Sequence, residues 1–389
     1  MIRQILLLTP LVVAFAIALD LYIPVVPQMV FLFNTTKEVV QLTLSVFMIV
    51  SGVGQLFIGP LSDEFGRRRT ILISTLLFTL FSFIAVFSIN IEMLIICRAF
   101  QAFGSCGMLV ASFAYVRDIS KNKESGQIFS YLNGAIGLSP LFAPLIGGYL
   151  IHYFNWQASF VLLTLFGLLT FFNCLWFLKE THPAEHRIKV NRALFHRYGK
   201  VLKNPLFIAY TLASSAGIAC FFTFFSISPY LLIEHLGVKM QHFGFYFGFV
   251  GLIYFFGSFA SAHIIEKIGV MHTTLLGCLL LSLTGVVMLG WYLLFGLSDL
   301  GFTLPMGIFG FGCAMAMGGG TAGALDPFPE MAGAASAMFG ALQFCLAFAT
   351  GSFVVLFPVE SAIPMGCTLL IWGLVSSLML FRYRTYKYS

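Results

Sequence analysis

Charge is scarce in this sequence. Asp, Glu, Lys and Arg make up 9% of its 389 residues, and the mean hydropathy is +0.95. No polar stretch is long enough to fold as a separate soluble domain. There is no Gly-x-x-x-x-Gly-Lys-Ser/Thr loop, which excludes ATP hydrolysis by the chain itself, and no His-Glu-x-x-His pair for a catalytic zinc. Gly318, Gly320 and Gly323 match a Gly-x-Gly-x-x-Gly string, but no strand precedes them, so they read as helix packing. The eight cysteines show no Cys-x-x-Cys spacing and no clustered histidine. They read as small apolar packing residues, with no metal and no cofactor implied.

Apolar length is abundant instead. Runs of about 20 residues, enough to cross a hydrocarbon core of roughly 30 Å, recur from end to end. They predict an all-α membrane protein with twelve transmembrane helices, near 5–31, 38–61, 69–89, 92–116, 125–150, 156–178, 205–233, 241–265, 271–295, 300–325, 332–357 and 361–381. The first is expected to be a true span rather than a cleavable leader, because its apolar run is long and carries Asp20, Pro24 and Pro27. Of the 21 Lys and Arg, about 18 fall at the N-terminus, the even-to-odd loops, the central loop and the C-terminus, which places both termini in the cytoplasm by the positive-inside rule. The formal charge of +6 therefore reads as topology against a lipid bilayer and not as a nucleic-acid surface.

The one long polar segment, 179–204, is basic and divides the spans six and six. It reads as a cytoplasmic linker between an N-terminal half, 1–178, and a C-terminal half, 205–389, part of it suited to an amphipathic helix on the inner leaflet. The halves echo each other. "GPLSDEFGRRRTIL" follows span 2 and "GSFASAHIIEKIGVMHTTLL" follows span 8, so Gly59 and Gly66 correspond in kind to Gly257 and Gly269. Parallel repeats of this sort put a solute path between the halves, near the bilayer midplane.

Fourteen of the 15 acidic residues sit at predicted helix ends or in loops. Asp20, in "AFAIALDLYIP", is the deep one, and a carboxylate there costs about 2.5–3.5 kcal/mol on insertion scales. Arg98 is the one deep base. With a rise of ~1.5 Å per residue, Asp20 lies about 22 Å from the inner end of its span and Arg98 about 9 Å from the outer end of its own. The two are therefore at similar heights and could form a structural ion pair or face one cavity. Intramembrane ionisable groups usually line pathways, and a carboxyl set between burial and a nearby cation changes protonation when its surroundings change.

Three further constellations carry possible chemistry. In "GAIGLSPLFAPLIGGYL", Pro140 and Pro144 remove backbone donors and bend a helix, while Gly134, Gly137, Gly147 and Gly148 allow close helix contact. In "GPLSDEFGRRR", Gly59 and Gly66 permit a tight turn, and Asp63 and Arg67 to Arg69 either pair with Arg117, Asp118 or the helix N-terminus near Gly333 or, for the arginines, only set topology. The run "CFFTFFSISPY" puts Phe221, Phe225 and Tyr230 on span 7, with Tyr22, Tyr131, Tyr246 and Tyr254 as further aromatic candidates, either for a wall that suits lipophilic or cationic solutes or for a face toward lipid.

At these residues the sequence resembles the major facilitator superfamily, and more narrowly its Bcr/CflA-type drug/proton antiporters. "LDLYIPVVPQM" resembles the first-helix signature, "GPLSDEFGRRR" the loop between spans 2 and 3, and "RAFQAFG" the span-4 pattern through Arg98, Gln101 and Gly104. "SPLFAPLIGG" resembles the antiporter motif, with Ser139 where the general form has Gly, and "NWQASF" follows with Gln157 where Arg is usual. "SPYLLIEHLGVKMQHFGFYFG" and "AGAASAMFGALQF", the latter ending beside Gln343, fit the second half. The resemblance implies two pseudo-symmetric six-helix halves in a bacterial inner membrane and proton-driven alternating access by a monomer. It implies that Asp20 carries the proton, that Arg98 tunes it, that Gln101 and Gln343 join the aromatic candidates along the cavity, and that Asp63 with its neighbours latches one conformation. Val12 and its neighbours are apolar where some relatives have a second acid, which favours a single-site carrier. The expected partners are protons and small amphiphilic substrates. A dedicated carrier of a metabolite or siderophore and a non-transporting receptor remain as rivals.

Overall fold

The computed structural model of the chain describes residues 2–119, 123–182, 193–328, 331–357 and 361–383. Every regular element among them is helical. Two compact units are present, Met1–Arg192 and Ala193–Ser389. The first holds α1 (Ile2–Asp20), a 3-10 turn (Ile23–Val25), α2 (Val26–Leu32), α3 (Lys37–Phe65), α4 (Arg67–Val86), α5 (Ile91–Ile119), α6 (Lys123–Tyr153) and α7 (Gln157–Phe177). The second holds α8 (Ala193–Leu202), α9 (Pro205–Ser228) continuing into a π-helical turn (Pro229–His235), α10 (Met240–Phe295), α11 (Asp299–Leu325), α12 (Ala332–Val354) and α13 (Ile363–Arg382). Eleven helical segments among the described residues are long and apolar enough to cross a membrane.

One of the expected spans differs in form. The first is not one helix. Its apolar segment, Ile2–Leu32, breaks after Asp20 and resumes through the 3-10 turn. Pro24 explains the break, since it has no N–H to return to the carbonyl of Asp20. The Tyr22 N–H turns instead to the carbonyl of Leu19, 3.1 Å away, and the carbonyl of Ala18 is left without its usual helical donor.

The eighth and ninth expected spans both fall within α10, Met240–Phe295. Gly269 interrupts it with φ 81° and ψ 166°, so it is two helical arms meeting at one residue. Gly66, with φ 97° and ψ 154°, separates α3 from α4 in nearly the same conformation. Both angles lie where a side chain is strained and glycine is not. Gly59, expected to share that turn, lies inside α3.

Small residues let these helices approach. A Cβ on Gly104 of α5 would lie 2.6 Å from the backbone nitrogen of Phe78 on α4. In the apolar phase such contact, and not hydrophobic transfer, holds helices together. Of the expected amphipathic linker helix, 183–192 lie outside the described residues. The part described, α8, buries Tyr198 and Val201 and packs against α9 and α12.

Candidate functional site

The break in the first segment organises the polar centre of the first unit. Asp20 ends α1 and is 2% exposed, and it is the one buried carboxyl among the described residues. Ser139 of α6 donates a hydrogen bond to its Oδ2 at 2.6 Å. Gly147, two turns further along α6, meets the next residue: a Cβ there would collide with the carbonyl of Leu21. Gly134 and Gly137 make no such approach among the described residues of this unit, where a Cβ on either would find nothing within 4 Å. Pro140 and Pro144 lie between these points inside an unbroken α6, with Gly148 buried beside Gly147. Gly147→Ala is accordingly expected to destabilise the protein by about 1–3 kcal/mol through overpacking, while Gly137→Ala is neutral; thermal unfolding of both in detergent checks this.

Arg98 is fully buried on α5, but no ion pair joins it to Asp20. Its Nη1 donates to the carbonyl of Ala18 at 2.9 Å, the acceptor that the helix break sets free, and to Gln101 Oε1 at 2.7 Å. Its Nε donates to the carbonyl of Thr43 at 3.3 Å. The guanidinium carbon lies 5.0 Å from the centre of the Tyr22 ring and 4.3 Å from that of Phe47. A cation that supplies the missing donor at a helix C-terminus and lies over aromatic faces is well placed electrostatically. Arg98 thus reaches Asp20 through the backbone of α1, two residues away, and Nη2 stays buried with no hydrogen-bond partner. Gln101 extends the network by donating to Ser82 Oγ at 2.7 Å, and Thr43 Oγ1 lies 3.0 Å from the Tyr22 hydroxyl.

A second cluster lies where α3, α4, α5 and α7 end in the same unit. Arg67 pairs with Asp63 and with Asp118, the latter at 2.9 Å through Nε, and also donates to Ser62 Oγ. Arg117, the expected alternative partner, is exposed beside Asp118 on α5. Glu180, which the sequence reading passed over as linker, accepts from the backbone N–H groups of Arg67 and Arg68 at 2.9 and 3.3 Å and so caps α4. Arg68 returns the arrangement, donating to the carbonyls of Leu178 and Leu175 at the end of α7. An acidic residue two positions past the last apolar residue of span 6 was the only signal available. Glu180→Ala should lower thermal stability by about 1 kcal/mol, the usual cost of a lost cap, and an unchanged melting temperature would contradict the capping role.

In the second unit the aromatic candidates mostly pack against one another. Phe221 contacts Phe225, Tyr254 and Phe309, with ring centres 5.2, 6.0 and 5.4 Å apart. Phe225 and Tyr230 are buried, Tyr254 and Tyr246 are half-buried, and Tyr246 Oη lies 3.4 Å from Asp299. Gln343, also buried, donates to Ser214 Oγ at 2.7 Å. In the first unit Tyr22 and Gln101 belong to the Arg98 network, and Tyr131 on α6 is separate from it and 59% exposed.

Comparison with known proteins agrees with this architecture. The family model described as Major Facilitator Superfamily matches residues 8–352. A chloramphenicol resistance protein of Pseudomonas aeruginosa is 32% identical, over 93% of this chain and 86% of that protein. A bicyclomycin resistance protein homolog of Haemophilus influenzae is 29% identical, over 89% of this chain and 87% of that one. Among solved structures, a D-xylose-proton symporter superposes with a TM-score of 0.73 at 16% identity, covering 96% of this chain and 97% of its own. A bacterial homolog of the lysosomal transporter Spinster gives 0.75 at 12% identity, covering 100% and 98%. The long match, the apolar helices and the relatives lead to one conclusion: the chain is a multi-pass bacterial membrane transporter, not an enzyme, and belongs to the major facilitator superfamily beside its Bcr/CflA-type resistance proteins.

Proposed function

We propose that the protein exports small amphiphilic compounds in exchange for protons, by alternating access. The observation that carries this reading is Asp20, a buried carboxyl at a break in the first membrane segment, held by a hydroxyl and not neutralised by a cation. Such a group can take up and release a proton without first breaking an ion pair. The resistance proteins among the relatives support the choice of cargo and direction.

On this reading the two arms of α10 cross the membrane separately, which makes twelve spans in two six-helix halves, 1–178 and 205–389, joined by 179–204. The protein works as a monomer in the inner membrane with both termini cytoplasmic, where most of its basic residues fall. Arg98 tunes Asp20 by holding the end of α1. Asp63, Arg67 and Asp118, with Gly66 at the turn, act as the conformational latch. The aromatic side chains of the second half supply a surface for lipophilic solutes.

Flux into proteoliposomes under an imposed pH gradient tests the proposal, with chloramphenicol, bicyclomycin and a set of iron chelates as solutes. Gradient-driven accumulation of several unrelated compounds that compete with one another is the expected result, and a protonophore should abolish it. Accumulation of a single compound would identify a dedicated carrier. Binding without flux would identify a receptor.

A further inference from the structure

We propose that Ser139 is the positioning residue that ties α6 to the protonation state of Asp20. The inference rests on the reading of Asp20 as the proton carrier. α6 grips the break in the first segment at two points. Ser139 Oγ donates to Asp20 Oδ2 at 2.6 Å, and Gly147 packs on the carbonyl of Leu21. The spacing suits helix geometry, because side chains lean toward the N-terminus of a helix while carbonyls point toward its C-terminus. One stretch of α6 thereby touches the side chain of one residue and the backbone of the next. The Leu21 contact is steric and indifferent to protons. The Ser139 contact is not.

An ionised carboxylate only accepts hydrogen bonds, and one given to it by a hydroxyl is short and strong. A neutral acid is a weaker acceptor at each oxygen, and the O–H it gains can make only a neutral bond with Ser139 in place of the charge-assisted one. Proton loss from Asp20 therefore tightens α6 against the break, and proton uptake loosens it. Around this spot α5 contributes the charged Arg98, engaged with Ala18, and the turn contributes Tyr22. From α3 and α7 come Thr43 and Phe160, both in contact with Tyr22, and the other charged residues of α3 and α6 stand near the helix ends. Ser139 is thus the group on α6 through which the helix can sense the proton.

Hydrogen–deuterium exchange of the full-length protein in lipid nanodiscs tests this, with rates corrected for the intrinsic effect of pH. Protection of the α6 segment 139–147 is expected to be roughly tenfold greater in alkaline than in acidic buffer, a change on the scale of one charge-assisted hydrogen bond. Ser139→Ala should remove that pH dependence while keeping α6 protected, and Ser139→Thr, which retains the hydroxyl, should keep most of it. If Asp20→Asn removes the pH dependence and Ser139→Ala leaves it intact, the proposal for Ser139 is overturned and the carrier reading stands. If Asp20→Asn leaves the pH dependence unchanged, the dependence does not arise at Asp20 and the proposal for Ser139 is likewise overturned, whereas the carrier reading fails only if Asp20→Asn still accumulates substrate against its gradient.

Discussion

Asp20→Asn is expected to abolish accumulation of substrate against its gradient while leaving the protein folded. The amide has nearly the volume of the acid, and its oxygen can still accept the hydrogen bond that Ser139 gives at 2.6 Å. What it loses is titration. Without a proton to exchange, a pH difference of one unit, worth about 1.4 kcal/mol per proton, no longer does work on the solute. The accumulation ratio in proteoliposomes should fall to one, with solute still exchanging down its own gradient. Thermal unfolding should match the parent protein. Wild-type accumulation by the variant would remove Asp20 from the coupling mechanism.

Arg98→Ala is expected to cost both stability and transport. It strands the carbonyl of Ala18 and the amide oxygen of Gln101 in a buried site, whereas the carbonyl of Thr43, inside α3, keeps its helical donor. Each unsatisfied acceptor costs about 1–3 kcal/mol, partly offset because a guanidinium no longer has to be buried, so a net loss of about 2 kcal/mol is expected. Flux should fall at least about tenfold, because the end of α1 that presents Asp20 is no longer held. Arg98→Lys should recover only part of this, since one ammonium lacks the planar fork that serves three acceptors at once. An unfolding midpoint unchanged in Arg98→Ala would show that the guanidinium does not cap α1.

Much of this organisation was legible in the residues. Apolar length marked the membrane segments, and the scarcity of charge made Asp20 and Arg98 conspicuous. The similar polar turns after spans 2 and 8 drew attention to Gly66 and Gly269, which share a backbone conformation. What the sequence hid has physical reasons. Pro24 was visible, but the continuous apolar run masked the break beside Asp20, because hydropathy does not register a lost backbone hydrogen bond. An ion pair between Arg98 and Asp20 was one of the two arrangements their heights allowed, and it does not form. The partners of Arg98 are chiefly backbone carbonyls, which every residue carries and no sequence pattern marks. Ser139 and Glu180 find Asp20 and α4 across 119 and 113 positions of chain, a separation that periodicity cannot bridge. The aromatic residues of α9 were legible as a group, but in a helix apolar on every side their pattern does not tell packing from cavity.

The central claim is that one carboxyl carries one proton per cycle, and counting charge tests it most directly. Flux of one neutral and one monovalent cationic substrate would be measured in proteoliposomes at a fixed pH gradient, with the membrane voltage clamped by potassium and valinomycin. Exchange of one proton for a neutral solute moves one net charge, so its flux should respond to voltage with roughly 2.3 kcal/mol of driving force per 100 mV. Exchange for a monovalent cation moves none, and its flux should be indifferent to voltage. An equal response of both substrates would contradict the account and require a second coupling group besides Asp20.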